Sequence, residues 1–151
     1  MICGCAENNT SMINDDNNYN KKFERLVKNF FWKRANTYHN RLDRFLVEKE
    51  FNETIRDSLR DIVGRPGTIW NNSFDTLRQR REMLLVDSDM NYFYILLKEN
   101  NYISQIKFGD SITFDGSLLG FFIDEDKKNP ELSEPTFVAS ADSITIIKHH
   151  D

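Results

Sequence analysis

The chain has 151 residues, 39% of them hydrophobic and 13% aromatic, and its 24 acidic and 20 basic side chains give a net charge of −4. This length and composition suit one folded domain with an extension, and they exclude collagen-like, low-complexity and disulfide-scaffold proteins. No apolar run approaches the roughly 20 residues of a membrane-spanning helix. The charge is divided unevenly, because residues 21–85 are net positive and residues 86–151 net negative. This division predicts two surfaces of opposite sign.

Residues 1–20 are predicted to form a flexible polar tail. Six of them are asparagine, and such a stretch cannot bury apolar area. Both cysteines of the chain, Cys3 and Cys5, lie at its start, so a disulfide framework is excluded. The residues Ile2-Cys3-Gly4-Cys5 resemble the end of a bacterial lipoprotein signal, where a small residue precedes the lipidated cysteine. The resemblance implies lipidation of Cys5 and a place in the bacterial cell envelope; the alternative is a plain terminus on a cytoplasmic protein.

Residues 21–63 are predicted to form a basic amphipathic helical region. Apolar side chains recur at three- and four-residue spacing over residues 21–47. No Pro or Gly interrupts that span, and its eight basic residues face only two acidic ones. A second apolar stripe over residues 51–63 predicts another helix, which Asn52 would cap and Gly64 would end.

Three interpretations of this helical region stay open. It is an amphipathic helix packed on the domain with its charges solvated, or a membrane-surface helix, or a helix that docks on a protein partner or on nucleic acid. In the membrane version, Phe30, Phe31 and Trp32 enter the interface. Lys33 and Arg34 then meet anionic headgroups. Basic and aromatic composition alone does not separate the last two interpretations.

Residues 64–151 are predicted to form a small antiparallel β-barrel. Gly64-Arg65-Pro66-Gly67 indicates a break before it. Asp115-Gly116 is either a two-residue hairpin turn or a bulge in one long strand. Residues 124–135 are predicted to form an acidic loop. β-branched and aromatic runs predict strands over residues 68–70, 83–86, 90–98, 111–123, 137–141 and 143–148. Residues 74–82 fit either helical spacing or an extension of the strand at 83–86.

The segments QIKFGDSITFDGSLLGFF (105–122) and FVASADSITII (137–147) resemble the strand pattern of small OB-like barrels. In those domains a Gly-Asp turn leads into a long coiled strand with a glycine at its middle. The resemblance implies an α+β fold in which N-terminal amphipathic helices precede a small antiparallel, OB-like β-barrel. The chain departs from the pattern because no helix is predicted between the third and fourth strands. An SH3-like barrel or another small sheet also fits.

Three arginines and three aromatic residues form the most site-like group. If residues 76–86 and 91–98 pair, alternation puts Arg78 with Arg80, and Tyr92 with Tyr94, on shared faces. Arginine contacts phosphate and aromatic rings stack on bases, as in single-strand binders. The alternative is that the rings are core and the arginines pair with the acidic loop. The candidate ligand-binding residues are Arg78, Arg80, Arg81, Trp70, Tyr92 and Tyr94.

Catalytic and metal-binding signatures are missing from the sequence. The three histidines, His39, His149 and His150, lack a zinc spacing, and no P-loop or nucleophile elbow occurs. We therefore expect a non-enzymatic binding or interaction module, with no cofactor and no metal, that recognises a protein or a membrane surface. Two alternatives stay open. One is a single-stranded oligonucleotide-binding OB-like protein, and the other is a small acidic inhibitor or immunity-type protein acting through residues 124–134.

Overall fold

Two helices precede five strands in the computed structural model of the chain. It describes residues 4–37, 39–77, 80–97, 105–123 and 135–151, and the backbone alone at residues 4–17, 74, 75 and 80. The helices are α1 (Gly4–Asn36) and α2 (Arg41–Thr54), and a single π-helical turn (Ile55–Leu59) follows them. The strands are β1 (Asp61–Asp75), β2 (Arg80–Val86), β3 (Tyr92–Leu97), β4 (Ser111–Ile123) and β5 (Pro135–Lys148).

The five strands close into a barrel in the order β1-β2-β3-β5-β4. β3 and β5 run parallel, and every other neighbouring pair is antiparallel. A closed five-stranded barrel behind two helices confirms the predicted α+β, OB-like architecture. Alternate residues of each strand point inward and form the core. That interior includes Ile62, Ile69, Met83, Leu85, Phe93, Ile95, Ile112, Phe114, Leu118 and Phe137.

β4 and β5 are long strands that bend round the barrel. β4 runs through Asp115-Gly116 without a turn, and its register against β5 shifts there, so the bulge interpretation is correct. A Cβ atom at Gly116 would lie 1.9 Å from the backbone oxygen of Ser140, which is why only glycine fits this close approach. β5 is likewise one strand where two short strands were predicted, because the bulges let its pairing with β4 continue.

β1 begins at Asp61, ahead of the predicted boundary at residue 64, and the predicted break at Gly64-Arg65-Pro66-Gly67 is wrong. Gly64 has a φ of 61°, and the pairing of β1 with β4 shifts between Ile62 and Arg65. A bulge therefore accommodates the glycine, and the strand continues. For the same reason Gly64 does not end a helix, because the last helical turn finishes at Leu59.

The helical region starts earlier than predicted. Residues 4–20, expected as a flexible tail, belong to α1. Tyr19 is 6% exposed, and its hydroxyl donates a hydrogen bond to the carbonyl oxygen of Leu59 at 3.0 Å. Burial raises the pKa of this phenol above its ordinary value. Tyr19 lies four residues before Phe23, so the apolar side of the helix extends back into the polar segment.

The predicted continuous helix over residues 21–47 is broken at a turn between residues 36 and 41. Thr37 donates backbone and side-chain hydrogen bonds to the last turn of α1. Asn40, and not Asn52, is the N-cap of α2, since its side-chain oxygen accepts from the amide of Asp43 at 3.1 Å. The reversal brings Phe30 of α1 against Phe51 of α2, with ring centroids 4.2 Å apart.

This packing removes most of the predicted membrane-contacting set from the surface. Phe30 is 3% exposed, and Phe31 is partly buried against the core. Lys33 and Arg34 form ion pairs with Glu50 and Glu48 of α2. Trp32 alone stays outside, 68% exposed. The end of the apolar stripe predicted over residues 21–47 also differs, because the structure exposes Leu42, Phe45 and Leu46.

A buried ion pair fixes α1 to the end of the barrel. Arg65 of β1 is 2% exposed, and its guanidinium donates to the carboxylate of Asp87 at the end of β2. The same guanidinium lies 4.3 Å from the ring centroid of Phe23 and donates to Asn20 at 3.2 Å. The ring of Phe23 also packs 5.4 Å from that of Phe93, in the barrel interior. One buried charge thus connects the helix, β1 and the β2–β3 turn.

Candidate functional site

Trp70 lies at a bulge in β1 and faces outward. Its neighbours Ile69 and Asn71 pair with consecutive residues of β2, so Trp70 is the extra residue of the bulge. Ile69 is fully buried, whereas Trp70 is 52% exposed. Alternation after the buried Ile69 turns Trp70 outward, and the bulge keeps Asn71 on the same outer side.

Phe108 stands beside Trp70 on the segment that precedes β4. The two ring centroids are 6.3 Å apart, with the planes at 67°, and Phe108 is 64% exposed. Two backbone hydrogen bonds of Ile69 hold this segment against β1. Its carbonyl oxygen accepts from the amide of Gly109 at 2.8 Å, and its amide donates to the backbone carbonyl oxygen of Asp110 at 2.9 Å. Gly109 has a φ of 88°, a left-handed conformation that suits glycine.

The carboxylate of Asp110 anchors the turn that carries Phe108. It accepts hydrogen bonds from the amides of Lys107 at 2.9 Å and His150 at 2.8 Å, and it lies 3.2 Å from Nδ1 of His149. The hydrogen bonds from the His150 and Lys107 amides lower the pKa of Asp110 below its ordinary value. The terminal histidine pair, which has no predicted role, thus helps to position Phe108.

β2 and β3 continue the outer surface next to Trp70. Leu84 pairs with Asn71 on one side and with Tyr94 on the other. The hydroxyl of Tyr94 donates a hydrogen bond to the carboxylate of Glu82. Alternation along β3 buries Phe93 and Ile95 and leaves the tyrosines partly exposed. We call this surface, formed by Trp70, Phe108, Leu84, Tyr92 and Tyr94, the aromatic face.

The structure treats the predicted arginines differently from the predicted aromatic residues. Tyr92 and Tyr94 lie on one side of β3, as alternation requires. Arg78 lies outside the described residues, and of Arg80 only the backbone is described, in register with Asp75. Arg81 projects from β2 on the side opposite to Glu82 and Leu84. A phosphate-binding role for the three arginines therefore stays a prediction.

Phe108 and Asp110 belong to the candidate site but were not among the site residues predicted from the sequence. The Gly-Asp turn at residues 109–110 was recognised as part of the strand pattern. A large aromatic residue directly before such a turn was the available signal. The sequence does not show that the two rings lie together, because that contact depends on the hydrogen bonds of Ile69 with Gly109 and Asp110.

The other predicted sites are a lipidated cysteine and an acidic segment. Cys5 lies in the first turns of α1, and its lipidation stays a prediction. The acidic segment 124–134 of the inhibitor hypothesis lies outside the described residues. In the described ranges, no group of three His, Cys, Asp or Glu side chains could hold a metal ion. No helix in the same part of the chain is long and apolar enough to cross a membrane.

The aromatic face offers both stacking surfaces and hydrogen-bonding groups. Two exposed rings and two partly exposed tyrosines offer stacking surfaces, while Glu82 and Asn71 offer hydrogen-bonding groups at its edge. Flat heterocycles with polar edges match such a surface.

Comparison with solved structures gives partial alignments with a single-stranded DNA binding protein. A crystal structure of Rim1, a mitochondrial single-stranded DNA binding protein from S. cerevisiae, aligns with a TM-score of 0.40 at 14% identity. The alignment covers 60% of this chain and 94% of Rim1. The selenomethionine-labelled form of the same protein aligns with a TM-score of 0.38 at 13% identity, with the same coverage. No protein-family model and no curated protein sequence matches the chain.

Proposed function

We propose that this protein is a non-enzymatic module that binds single-stranded nucleic acid, with bases stacked on the aromatic face. The observation that carries the proposal is the pair of exposed rings, Trp70 and Phe108, fixed side by side on the outside of the barrel. Exposed aromatic side chains on a rigid sheet are the stacking platforms of single-strand binders. In OB-fold barrels the surface around β2 and β3 is a common binding site for oligonucleotides and oligosaccharides.

The elements beneath the face support this function. The hydrogen bonds of Ile69 and Asp110 fix the backbone beneath both rings before any ligand binds, so less ordering is needed on binding. Tyr94 is oriented in the same way by its hydrogen bond to Glu82. The carboxylate of Glu82 repels phosphate, so bases rather than the backbone should lie on this face.

Binding of a labelled oligothymidylate, measured by fluorescence anisotropy at low and moderate salt, tests the proposal. We expect salt-dependent binding, and we expect Trp70→Ala to weaken it by about 1–3 kcal/mol, or roughly 5- to 150-fold, through loss of one stacking contact. The matched control is Phe45→Ala, which removes an aromatic side chain that is 60% exposed on α2. Wild-type affinity in the Trp70→Ala variant, or no binding at low salt, would exclude this function.

An oligosaccharide ligand is the competitor that the same chemistry admits, because aromatic rings beside carboxylate and amide groups also suit sugars. Its affinity would not depend on salt, because a neutral sugar releases no counterions. The salt dependence of the titration therefore separates the two ligands.

A further inference from the structure

The outward side of α1 carries a line of exposed basic side chains. Lys21, Arg25, Lys28 and Trp32 are spaced by four, three and four residues, so they lie along one side of the helix. All four are exposed, and Trp32 is 68% exposed. At 1.5 Å per residue the line is about 16 Å long. We call these four residues the basic stripe.

The cations of the basic stripe differ from the other basic residues of α1. Lys33 and Arg34 are neutralised by Glu50 and Glu48 of α2. Lys21, Arg25 and Lys28 form no ion pair or hydrogen bond with any residue that the structure describes. Their charge is therefore available to an anionic partner, on a molecule whose net charge is −4.

One end of the basic stripe borders a cleft between α1 and the start of β1. The cleft has a volume of about 550 Å³. Three cations line it, Lys21, Lys22 and Arg25, beside one carboxylate, Asp61, so it favours an anion. Its lining residues are Asn18, Tyr19, Lys21, Lys22, Arg25, Asp61 and Val63.

The apolar side of α1 decides between a phosphate backbone and a membrane. An interfacial helix must bury an apolar face in the lipid, but Phe23, Val27 and Phe30 are packed under the barrel and at most 3% exposed. Trp32 is the only apolar member of the basic stripe. This composition favours a phosphate polymer that also carries flat rings.

β1 connects the cleft to the aromatic face. Val63 borders the cleft, and Trp70 lies seven residues further along the strand, a distance of about 23 Å at 3.3 Å per residue. The aromatic face supplies stacking and an acidic edge, so a strand bound there needs cations from elsewhere. We propose that the basic stripe binds the phosphodiester backbone of the same single strand, with a base stacked on Trp32; this inference rests on the function proposed above.

The salt dependence of binding to an oligothymidylate of about 16 nucleotides tests the inference. In single strands each phosphate contact contributes about 0.7 to the slope of log K against log salt concentration. The triple variant Lys21→Gln/Arg25→Gln/Lys28→Gln should therefore lower the magnitude of the slope by about 2. An oligomer of about 4 nucleotides, short enough for the aromatic face alone, should bind the variant and the wild type equally.

The matched control variant removes three positive charges elsewhere, as Lys49→Gln/Arg56→Gln/Lys148→Gln, and should keep the wild-type slope. Circular dichroism of each variant establishes that the helices are folded. In a Trp70→Phe chain, Trp32 is the only tryptophan, and its emission should be quenched by the longer oligomer and not by the shorter one.

The possible results separate the two proposals. If the wild type binds oligonucleotides but the stripe variant keeps its slope, the basic stripe has no role and the aromatic face retains its proposed function. An equal loss of slope in the control variant would assign the effect to net charge and overturn the inference. Absence of salt-dependent binding by the wild type would overturn both proposals. Binding to phosphatidylglycerol vesicles is measured for the same proteins. If the stripe variant loses binding to the vesicles but not to the oligomer, the partner is a membrane and the phosphodiester assignment is wrong.

Discussion

Replacing Asp87 by Asn should destabilise the protein through the buried pair with Arg65. The two side chains are 1% and 2% exposed, so solvent cannot compensate a guanidinium that loses its carboxylate. The remaining partners of Arg65 are weaker, namely the Asn20 amide oxygen at 3.2 Å and the Glu24 carboxylate at 3.9 Å. Removing one partner of a buried ion pair typically costs about 3–5 kcal/mol. We expect Asp87→Asn to fall in that range.

Removing the other partner, Arg65, should cost less stability. In Arg65→Met, the carboxylate of Asp87 keeps three N–H donors, from the amides of Asp89 and Asn91 and from the side chain of Asn91, at 2.8–3.0 Å. The double variant should lose less stability than the sum of the single variants, with a coupling energy of about 1–3 kcal/mol.

Urea unfolding followed by circular dichroism measures these quantities. The free energy of unfolding gives the cost of each variant, and the slope m reports whether α1 stays packed on the barrel. If α1 detaches from the barrel in Asp87→Asn, m should fall, because less surface is then buried in the folded state. A loss below about 1 kcal/mol with strict additivity would show that the pair does not hold α1 in place.

Two further predictions concern the barrel and its C-terminal contacts. Gly116→Ala should destabilise the protein by about 1–3 kcal/mol in thermal unfolding, because its Cβ would collide with the backbone of β5. The control is Gly120→Ala, whose Cβ meets nothing within 4 Å. Equal losses of stability in the two variants would contradict the bulge geometry. Asp110 has a pKa that is lower in the folded protein than the unfolded value of about 3.9. Its contribution to stability is therefore present above that value and is lost as the pH falls through the folded-state pKa. Asp110→Asn should flatten the fall in melting temperature between about pH 5 and pH 2, and an unchanged pH profile would remove Asp110 as the cause.

Local sequence patterns predicted the strands better than they predicted the helices. The aromatic and β-branched run at residues 92–97 gave β3 closely, because a run that is apolar on both faces has few other solutions. The helical boundaries failed at residues 37–40 and at Gly64. Tertiary packing decides both places: the stacking of Phe30 on Phe51 stabilises the reversal, and the pairing of β1 with β4 extends through the glycine.

The candidate site was predictable only in part. The sequence grouped Trp70 with Tyr92 and Tyr94 as candidate ligand-binding residues, and alternation along β3 placed the two tyrosines on one side. It could not predict that Phe108 lies beside Trp70, since that contact depends on a turn that Ile69 and the C-terminal histidines hold in place. The basic character of residues 21–47 was visible at once. The sequence did not show which cations of α1 form ion pairs, because this depends on the contacts of α2 with Lys33 and Arg34.

The most direct test of the account is the emission of Trp70 during titration with oligothymidylate. In a Trp32→Phe chain, Trp70 is the only tryptophan, since the sequence contains two. If bases stack on the aromatic face, the emission should be quenched with the same midpoint that anisotropy gives for binding, and the midpoint should move to higher concentration as salt is added. Binding that leaves the Trp70 emission unchanged, or no binding at low salt, would contradict base stacking on the aromatic face.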